Sequence, residues 1–183
     1  GIISRRTVSN RTEKTLNPNS TNHEELDILI SKYKGQKLTN EQVAEVVSAA
    51  CFVSNNQKVF LNENLKITDD LKEICNQYQS GGTAKEGRGI LDEYYTDDKI
   101  VNAVRNLIKN QLQNKVEISV LEPSVGTGNF LYATKDLALK SIITAFEINE
   151  TTAKIAKILH PEADINLCSF ETEFIDEKGI KKE

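Results

Sequence analysis

The chain has 183 residues, 27% of them charged and 38% hydrophobic, with a formal net charge of −4. That length holds one domain plus an accessory segment, and no apolar run is long enough for a transmembrane helix. The acidic balance excludes the basic excess of a free-standing nucleic-acid-binding domain, and Cys51, Cys75 and Cys168, scattered without metal-ligand spacing, fit a reducing cytoplasm.

His23 and His160 lie far apart and make neither a zinc nor a triad pattern, so both read as surface or loop histidines. The chain holds no methionine. No apolar stretch follows the Arg-rich start to make a signal peptide. The sequence is expected to be a piece of a longer protein.

Residues 1–20 carry Arg5, Arg6, Arg11 and Lys14 among Ser, Thr and Asn without periodicity. They read as a mobile basic arm or a phosphate contact. Leu26, Leu29, Ile30 and Tyr33 share a helical face that Gly35 ends. Thr39 opens a second helix. Thr39 and Gln42 have capping-box spacing, Leu38 can staple to Val43, and Val43, Val46, Val47, Ala50 and Val53 form the apolar stripe. A loop at 54–66 leads to Thr68, the cap of a third helix. Asp69 and Asp70 occupy its first turn, and Leu71, Ile74, Cys75 and Tyr78 its apolar face. None of the three helices carries a chemical constellation, so 21–80 reads as a small helical subdomain. Residues 81–90, rich in Gly, read as a linker or as a loop that orders over a ligand. Thr96 then caps a helix with Asp97 and Asp98 in its first turn. Ile100, Val101, Val104, Leu107, Ile108 and Leu112 face a core.

Residues 116–131 carry the chemistry. Val116, Ile118, Val120 and Leu121 form a buried strand that breaks at Glu122-Pro123, where proline removes a ladder donor. Gly126 and Gly128 allow a tight bend and close approach by a ligand. Asn129, Phe130 and Leu131 begin a helix that runs to about Lys140. Strand, Gly-rich turn and helix is how α/β folds present backbone N–H groups to a nucleotide-like ligand. Leu131 stands where a dinucleotide fold wants a third Gly or Ala, so the pattern departs from an NAD fingerprint. Ile142, Ile143, Ala145 and Phe146 form a second strand ending in Glu147. An acid there, about 20 residues past the turn, suits bidentate hydrogen bonding to a ribose diol, and Ile148 follows it, placed to lie against an adenine. Asn149 caps the next helix, with Ala153, Ile155, Ala156 and Leu159 apolar, and His160-Pro161 end it. Ile165 to Cys168 form a third strand leading into Ser169-Phe170-Glu171.

Glu122-Pro123 followed by Gly126, Gly128 and Phe130 resembles motif I of the adenine-N6 DNA methyltransferases. Tyr94-Tyr95-Thr96 before a helix resembles their motif X, with Asp97 where proline is common. Glu147-Ile148 corresponds by position to motif II, and Ser169-Phe170 to motif III, with Ser169 in place of the usual Asp. The whole looks most like the methylase portion of the large helicase–methylase proteins of plasmids and conjugative elements. The resemblance implies S-adenosyl-L-methionine as cofactor, held by Tyr95, Thr96, Glu122, Pro123, Gly126, Gly128, Phe130, Glu147, Ile148 and Phe170. It implies site-specific methylation of DNA, as in restriction-modification, without a metal. It also implies an α/β fold, a partial Rossmann-like methyltransferase domain over 91–183 with strands ordered 3-2-1, behind the helical subdomain.

The catalytic motif of that family, (Asn/Asp/Ser)-Pro-Pro-(Tyr/Phe), holds a flipped adenine by its exocyclic nitrogen and stacks a ring on it. None of Pro18, Pro123 and Pro161 is followed by another proline. The chain is therefore expected to carry the cofactor half of such a site, no catalytic residue, and no activity alone, with DNA met through parts outside it. A non-catalytic nucleotide-binding or interaction module, and a methyltransferase of proteins or small molecules, are the alternatives. The first strand, central in a whole domain, becomes an edge here. The N-terminal helices or a second molecule are expected to cover it.

Overall fold

The computed structural model describes residues 21–79, 96–112, 114–138 and 140–174. The expected arm at 1–20, the linker at 81–90, Tyr95 and the tail beyond Phe174 lie outside them. Among the described residues the elements run α1 (Thr21–Tyr33), α2 (Asn40–Ala50), β1 (Cys51–Val53), β2 (Val59–Leu61), α3 (Asp69–Asn76), α4 (Asp98–Leu112), β3 (Glu117–Glu122), α5 (Leu131–Thr134), β4 (Lys140–Glu147), α6 (Glu150–Leu159), β5 (Asp164–Leu167) and α7 (Phe170–Phe174). None of the helices among them is long and apolar enough to cross a membrane.

The helical spacing of apolar residues builds the N-terminal part. Leu26, Leu29 and Tyr33 of α1 are buried, and Gly35, at φ +71°, turns the chain out of the helix. Both halves of the capping box open α2: Thr39 Oγ1 accepts the Gln42 N–H at 3.3 Å, and Gln42 Oε1 accepts the Thr39 N–H at 2.9 Å. Thr68 caps α3 by one bond alone, its side chain accepting the Leu71 N–H. Val43, Val46, Val47 and Ala50 are buried, as their spacing requires.

The stripe of α2 does not continue to Val53, and the segment 54–66 is not simply a loop. Val53 belongs to β1, which pairs antiparallel with β2, Cys51 opposite Leu61 and Val53 opposite Val59. Strands of three residues are too short to display a period of two, and Val53 sits three places after Ala50, at helical spacing. Asn62 fixes the far end of this hairpin, donating from its backbone to the Ala50 carbonyl and from its side chain to the Ala49 carbonyl.

The second sheet is parallel, in the order β3-β4-β5, with Val120 opposite Ile143 and Ala145 opposite Ile165. That is the expected 3-2-1 order of a partial Rossmann-like fold, and the protein is of the α/β class. One face of the sheet packs on α6, and α6 is enclosed on nearly every side: Thr152, Ala153, Lys154, Ile155, Ala156 and Ile158 are all buried. On its other side α6 meets α2, α3 and the β1–β2 hairpin. Hydrophobic burial therefore runs in one continuous cluster from Leu26 and Val46 through Ile155 to Ile143 and Leu131. The hairpin turn also closes the β5 edge, where the Leu167 N–H donates to the Gln57 carbonyl at 2.6 Å and Lys58 pairs with Asp164 at 2.6 Å.

Several sequence expectations are corrected. The N-terminal helices cover α6 and the β5 side, and β3 pairs with β4 alone among the described residues. Leu121 is 56% exposed because it lies on the face of β3 that α6 does not cover, and Val116, 68% exposed, precedes the strand. Phe170 and Phe174 of α7 lie against that outer face beside Leu121, Ile142 and Phe146. The helix after the glycine turn ends at Thr134 rather than near Lys140. Asp136 takes φ +58°, and the Arg105 guanidinium accepts the role of a C-cap, donating to the carbonyls of Tyr132, Ala133 and Lys135. In α4, Val101 is buried but Ile100 and Leu107 are 53% and 74% exposed. Its partner is α5, and four residues cannot span a helix of 15. The cap of α4 is Asp97 rather than Thr96: the Val101 N–H donates to the Asp97 carbonyl at 3.1 Å, and Asp97 Oδ1 accepts the Lys99 N–H at 2.7 Å.

The same substitution at two leucines separates the covered from the uncovered part of the fold. Leu71, fully buried, should lose about 2–5 kcal/mol on replacement by alanine. Leu121, on the open face, should lose less than about 0.5 kcal/mol. Denaturant unfolding of the two variants checks this, and equal losses would contradict the burial described here.

Candidate functional site

The glycine turn is held between two strands. Val125 N–H donates to the Phe146 carbonyl at 2.9 Å, tying the turn to β4. Gly126 and Gly128 adopt φ +54° and +93°, conformations that side chains disfavour. Gly128 N–H returns to the Val125 carbonyl at 2.9 Å, and Leu131 N–H to the Gly128 carbonyl at 3.0 Å, so the turn passes directly into α5.

Glu147 ends β4 and is 8% exposed. Its Oε2 accepts the Gly126 N–H at 3.0 Å, from 21 residues earlier in the chain. Its Oε1 accepts the N–H groups of Ile148 at 2.8 Å and Asn149 at 2.9 Å. Charge-assisted bonds of this kind are strong. They use both lone pairs of Oε1 and one of Oε2, which leaves one acceptor position on Oε2 for a ligand hydroxyl. Asn149 turns its side chain the other way and caps α6, its Oδ1 accepting the Thr152 N–H at 3.0 Å.

A cleft of about 390 Å³ opens at the C-terminal ends of the three parallel strands, lined by Pro123, Ser124, Phe146, Glu147, Ile148, Cys168, Ser169, Phe170 and Glu171. Crevices outside the carboxyl ends of strands are where open α/β sheets bind ligands. Of the ten residues expected to hold a cofactor, Pro123, Glu147, Ile148 and Phe170 line it. Ile148 is 49% exposed, and Phe170 packs edge-on against Phe146 at 5.3 Å. Glu122 stands at the rim, where its Oε1 accepts the Ser124 N–H at 3.1 Å. Burial raises its carboxyl above the ordinary value, and that N–H opposes the shift. Thr96 is brought to the back of the glycine turn, its carbonyl accepting the Asn129 side-chain N–H at 3.0 Å. Gly126, Gly128 and Phe130 are not part of the cleft lining, and Tyr95 lies outside the described residues. Ser169 begins α7, bonding to Glu171 and accepting the Thr172 N–H.

A larger hollow of about 600 Å³ lies at the opposite end of the sheet, between Lys140, Ser141, Lys135, Pro161 and Glu162. None of the expected site residues reaches it, whereas Pro123, Glu147, Ile148 and Phe170 line the smaller cleft. Among the described residues no group of three or more His, Cys, Asp or Glu is placed to hold a metal ion. Cys51 and Cys75 are buried, and burial pushes both thiols up to about 12.

Sequence reasoning missed Asn129, Arg105 and His160. Asn129 had a signal, since a polar residue beside Gly128 is placed to fix the turn. His160 had none. It follows α6 as its C-cap, as a loop residue would, but it is not at the surface: it is 2% exposed, with its ring 4.5 Å from that of Tyr132, because the end of α6 carries it under the glycine turn.

The fold defines a partial Rossmann-like α/β protein with a glycine turn between β3 and α5. No family profile matches the sequence. Over 111 residues, 61% of this chain, it is 32% identical to a protein of Escherichia phage P1 named Defense against restriction protein B. That stretch spans 5% of the phage protein's length. A looser likeness in structure, with a TM-score of 0.40 and 16% identity, covers 79% of this chain and 43% of a Listeria monocytogenes protein described as a class I S-adenosylmethionine-dependent methyltransferase.

Burial lowers the His160 imidazole below its ordinary 6.5, and Lys135 acts the same way, while Glu162 and the Gly128 backbone oppose them. The folded state thus favours the neutral ring. Its contribution is complete above pH 6.5, where the unfolded histidine is also neutral, and is lost as pH falls through the depressed folded value. Unfolding free energies at about pH 7.5 and about pH 5 should differ more for the native chain than for His160→Gln. Equal pH dependence in the two would refute this.

Proposed function

We propose that the chain is the cofactor-holding part of an S-adenosylmethionine-dependent adenine-N6 DNA methyltransferase. The observation that carries this is the bond from Gly126 N–H to Glu147 Oε2 at 3.0 Å, which joins the glycine turn after β3 to the acid at the end of β4 beside one open cleft. Glu147 would hold the ribose through its remaining acceptor position. Ile148 and Phe170 would flank the adenine, and Pro123 and Ser124 would form the near wall. The cofactor, when bound, supplies an electrophilic methyl group on a sulfonium. What this chain's residues do is bind and orient: Glu147 fixes the turn, and the apolar wall of Ile148 and Phe170 keeps water from one side.

The likeness to a phage protein named for defence against restriction supports DNA as the substrate of the whole enzyme. The adenine N6 amino group is a hydrogen-bond donor in the major groove, so methylating it alters what a restriction enzyme reads. Residues to hold that adenine would come from outside these 183, since no proline here is followed by another. A second reading, a nucleotide-binding module without transfer, would use the same cleft and the same free acceptor position of Glu147.

Calorimetry with S-adenosylhomocysteine should show binding that Glu147→Ala weakens by about 1–3 kcal/mol. Ile148→Asp should weaken it with little change in melting, because Ile148 is half exposed. With labelled S-adenosylmethionine and DNA the chain alone should transfer no methyl group. Preference for NAD, or equal affinity in all variants, would sink the cofactor assignment, and robust methylation would sink the division of the site. We further propose that the β3 edge and the exposed Leu121 and Ile142 make the chain self-associate. Sedimentation velocity should show an average mass that rises with concentration, and Leu121→Lys with Ile142→Lys should abolish the rise.

A further inference from the structure

Gly128 is constrained twice. Its φ of +93° disfavours any side chain, and a Cβ built on it would lie 2.6 Å from His160 Nε2 and closer still to Cδ2. Gly35 has a positive φ as well, yet a Cβ there would meet nothing within 4 Å. The contact at Gly128 is therefore particular to this turn. The end of α6 places the ring: the backbone N–H of His160 donates to the Ala156 carbonyl at 2.8 Å, and the His160 backbone carbonyl accepts the Ala163 N–H at 3.0 Å. Tyr132 of α5 backs the ring edge-on at 4.5 Å. Nδ1 stands 4.0 Å from Glu162 Oε1, and Nε2 has no hydrogen-bond partner among the described residues. The ring lies against the Gly128 backbone and fills the space that glycine leaves.

We propose that His160 is the positioning residue of the glycine turn. Its imidazole is a wedge beneath Gly128 that sets the depth of the turn, while Glu147 anchors the same turn from the side through Gly126. Together they fix the rim of the cleft that Pro123 and Ser124 line. The charged groups that act on the ring are Glu162 beyond α6 and Lys135 beyond α5. The wedge stands on geometry alone, and its consequence for cofactor binding rests on the methyltransferase reading above.

A double-mutant cycle of Gly128→Ala and His160→Ala, measured by denaturant unfolding, tests the wedge without any ligand. Removing the ring makes room for the Cβ, so the loss caused by Gly128→Ala should shrink by about tenfold or more in the unfolding constant when His160 is already alanine. Additive losses would overturn the proposal. Should Gly128→Ala fail to fold, hydrogen exchange on His160→Ala decides. The Gly126 amide should exchange about tenfold faster while the Val46 and Val47 amides of α2 keep their protection. Unchanged exchange at Gly126, or a uniform increase across both regions, would overturn it. S-adenosylhomocysteine should bind the native chain about tenfold more tightly than His160→Ala, a difference typical of coupling between neighbouring sites. Absence of binding by the native chain would remove the methyltransferase reading and leave the wedge to be judged by the cycle.

Discussion

The Glu147 carboxylate is the interaction on which the site depends. A buried charge is stable only when its hydrogen-bonding capacity is met, and here three backbone N–H groups meet it. Those donors come from the glycine turn and from the start of the connection into α6. One side chain therefore fixes the turn after β3, the end of β4 and the approach to α6 relative to one another. The cleft exists because these three are held apart at the carboxyl ends of the strands.

The helix that follows, α6, serves as the common wall. Its buried residues face the sheet on one side and the N-terminal helices and hairpin on the other. The segment 21–79 thus contributes to the site without touching it: by enclosing α6 it fixes both ends of that helix. Asn149 at the first end carries its backbone N–H to Glu147, and His160 at the last end carries its ring to Gly128. A helix enclosed this completely cannot shift one end without disturbing a packed core, which couples the two supports of the glycine turn.

The two edges of the parallel sheet are treated unequally. The β5 edge is closed by the hairpin turn and by the Lys58–Asp164 pair, whereas β3 offers an edge and an apolar outer face. Parallel sheets are normally buried on both faces. The exposure of Leu121 and Ile142, and of Ile100 and Leu107 on α4, follows from the same lack of covering elements among the described residues.

The amino-acid sequence by itself determined the local features. The capping box at Thr39, the caps at Thr68 and Asn149, the breaking of β3 at Pro123 and the glycine turn all depend on residues within four positions of one another, so short-range chemistry decides them. The order of the parallel strands followed from the resemblance to the methyltransferases, whereas the sequence read Glu147 only as an acid for a ligand at the end of the second strand, and its bond to the Gly126 N–H came from the fold. Tertiary structure alone decided the rest. The β1–β2 hairpin has strands too short for periodicity to reveal. The early end of α5 depends on Arg105 reaching across from α4 to its carbonyls. The exposure of Leu121 depends on which face of the sheet α6 covers. His160 is the sharpest case: nothing within its own stretch marks it as a core residue. Its burial is created by the end of α6 meeting a turn 32 residues earlier that happens to lack a side chain, and a contact of that kind is set by packing and has no signature in local sequence.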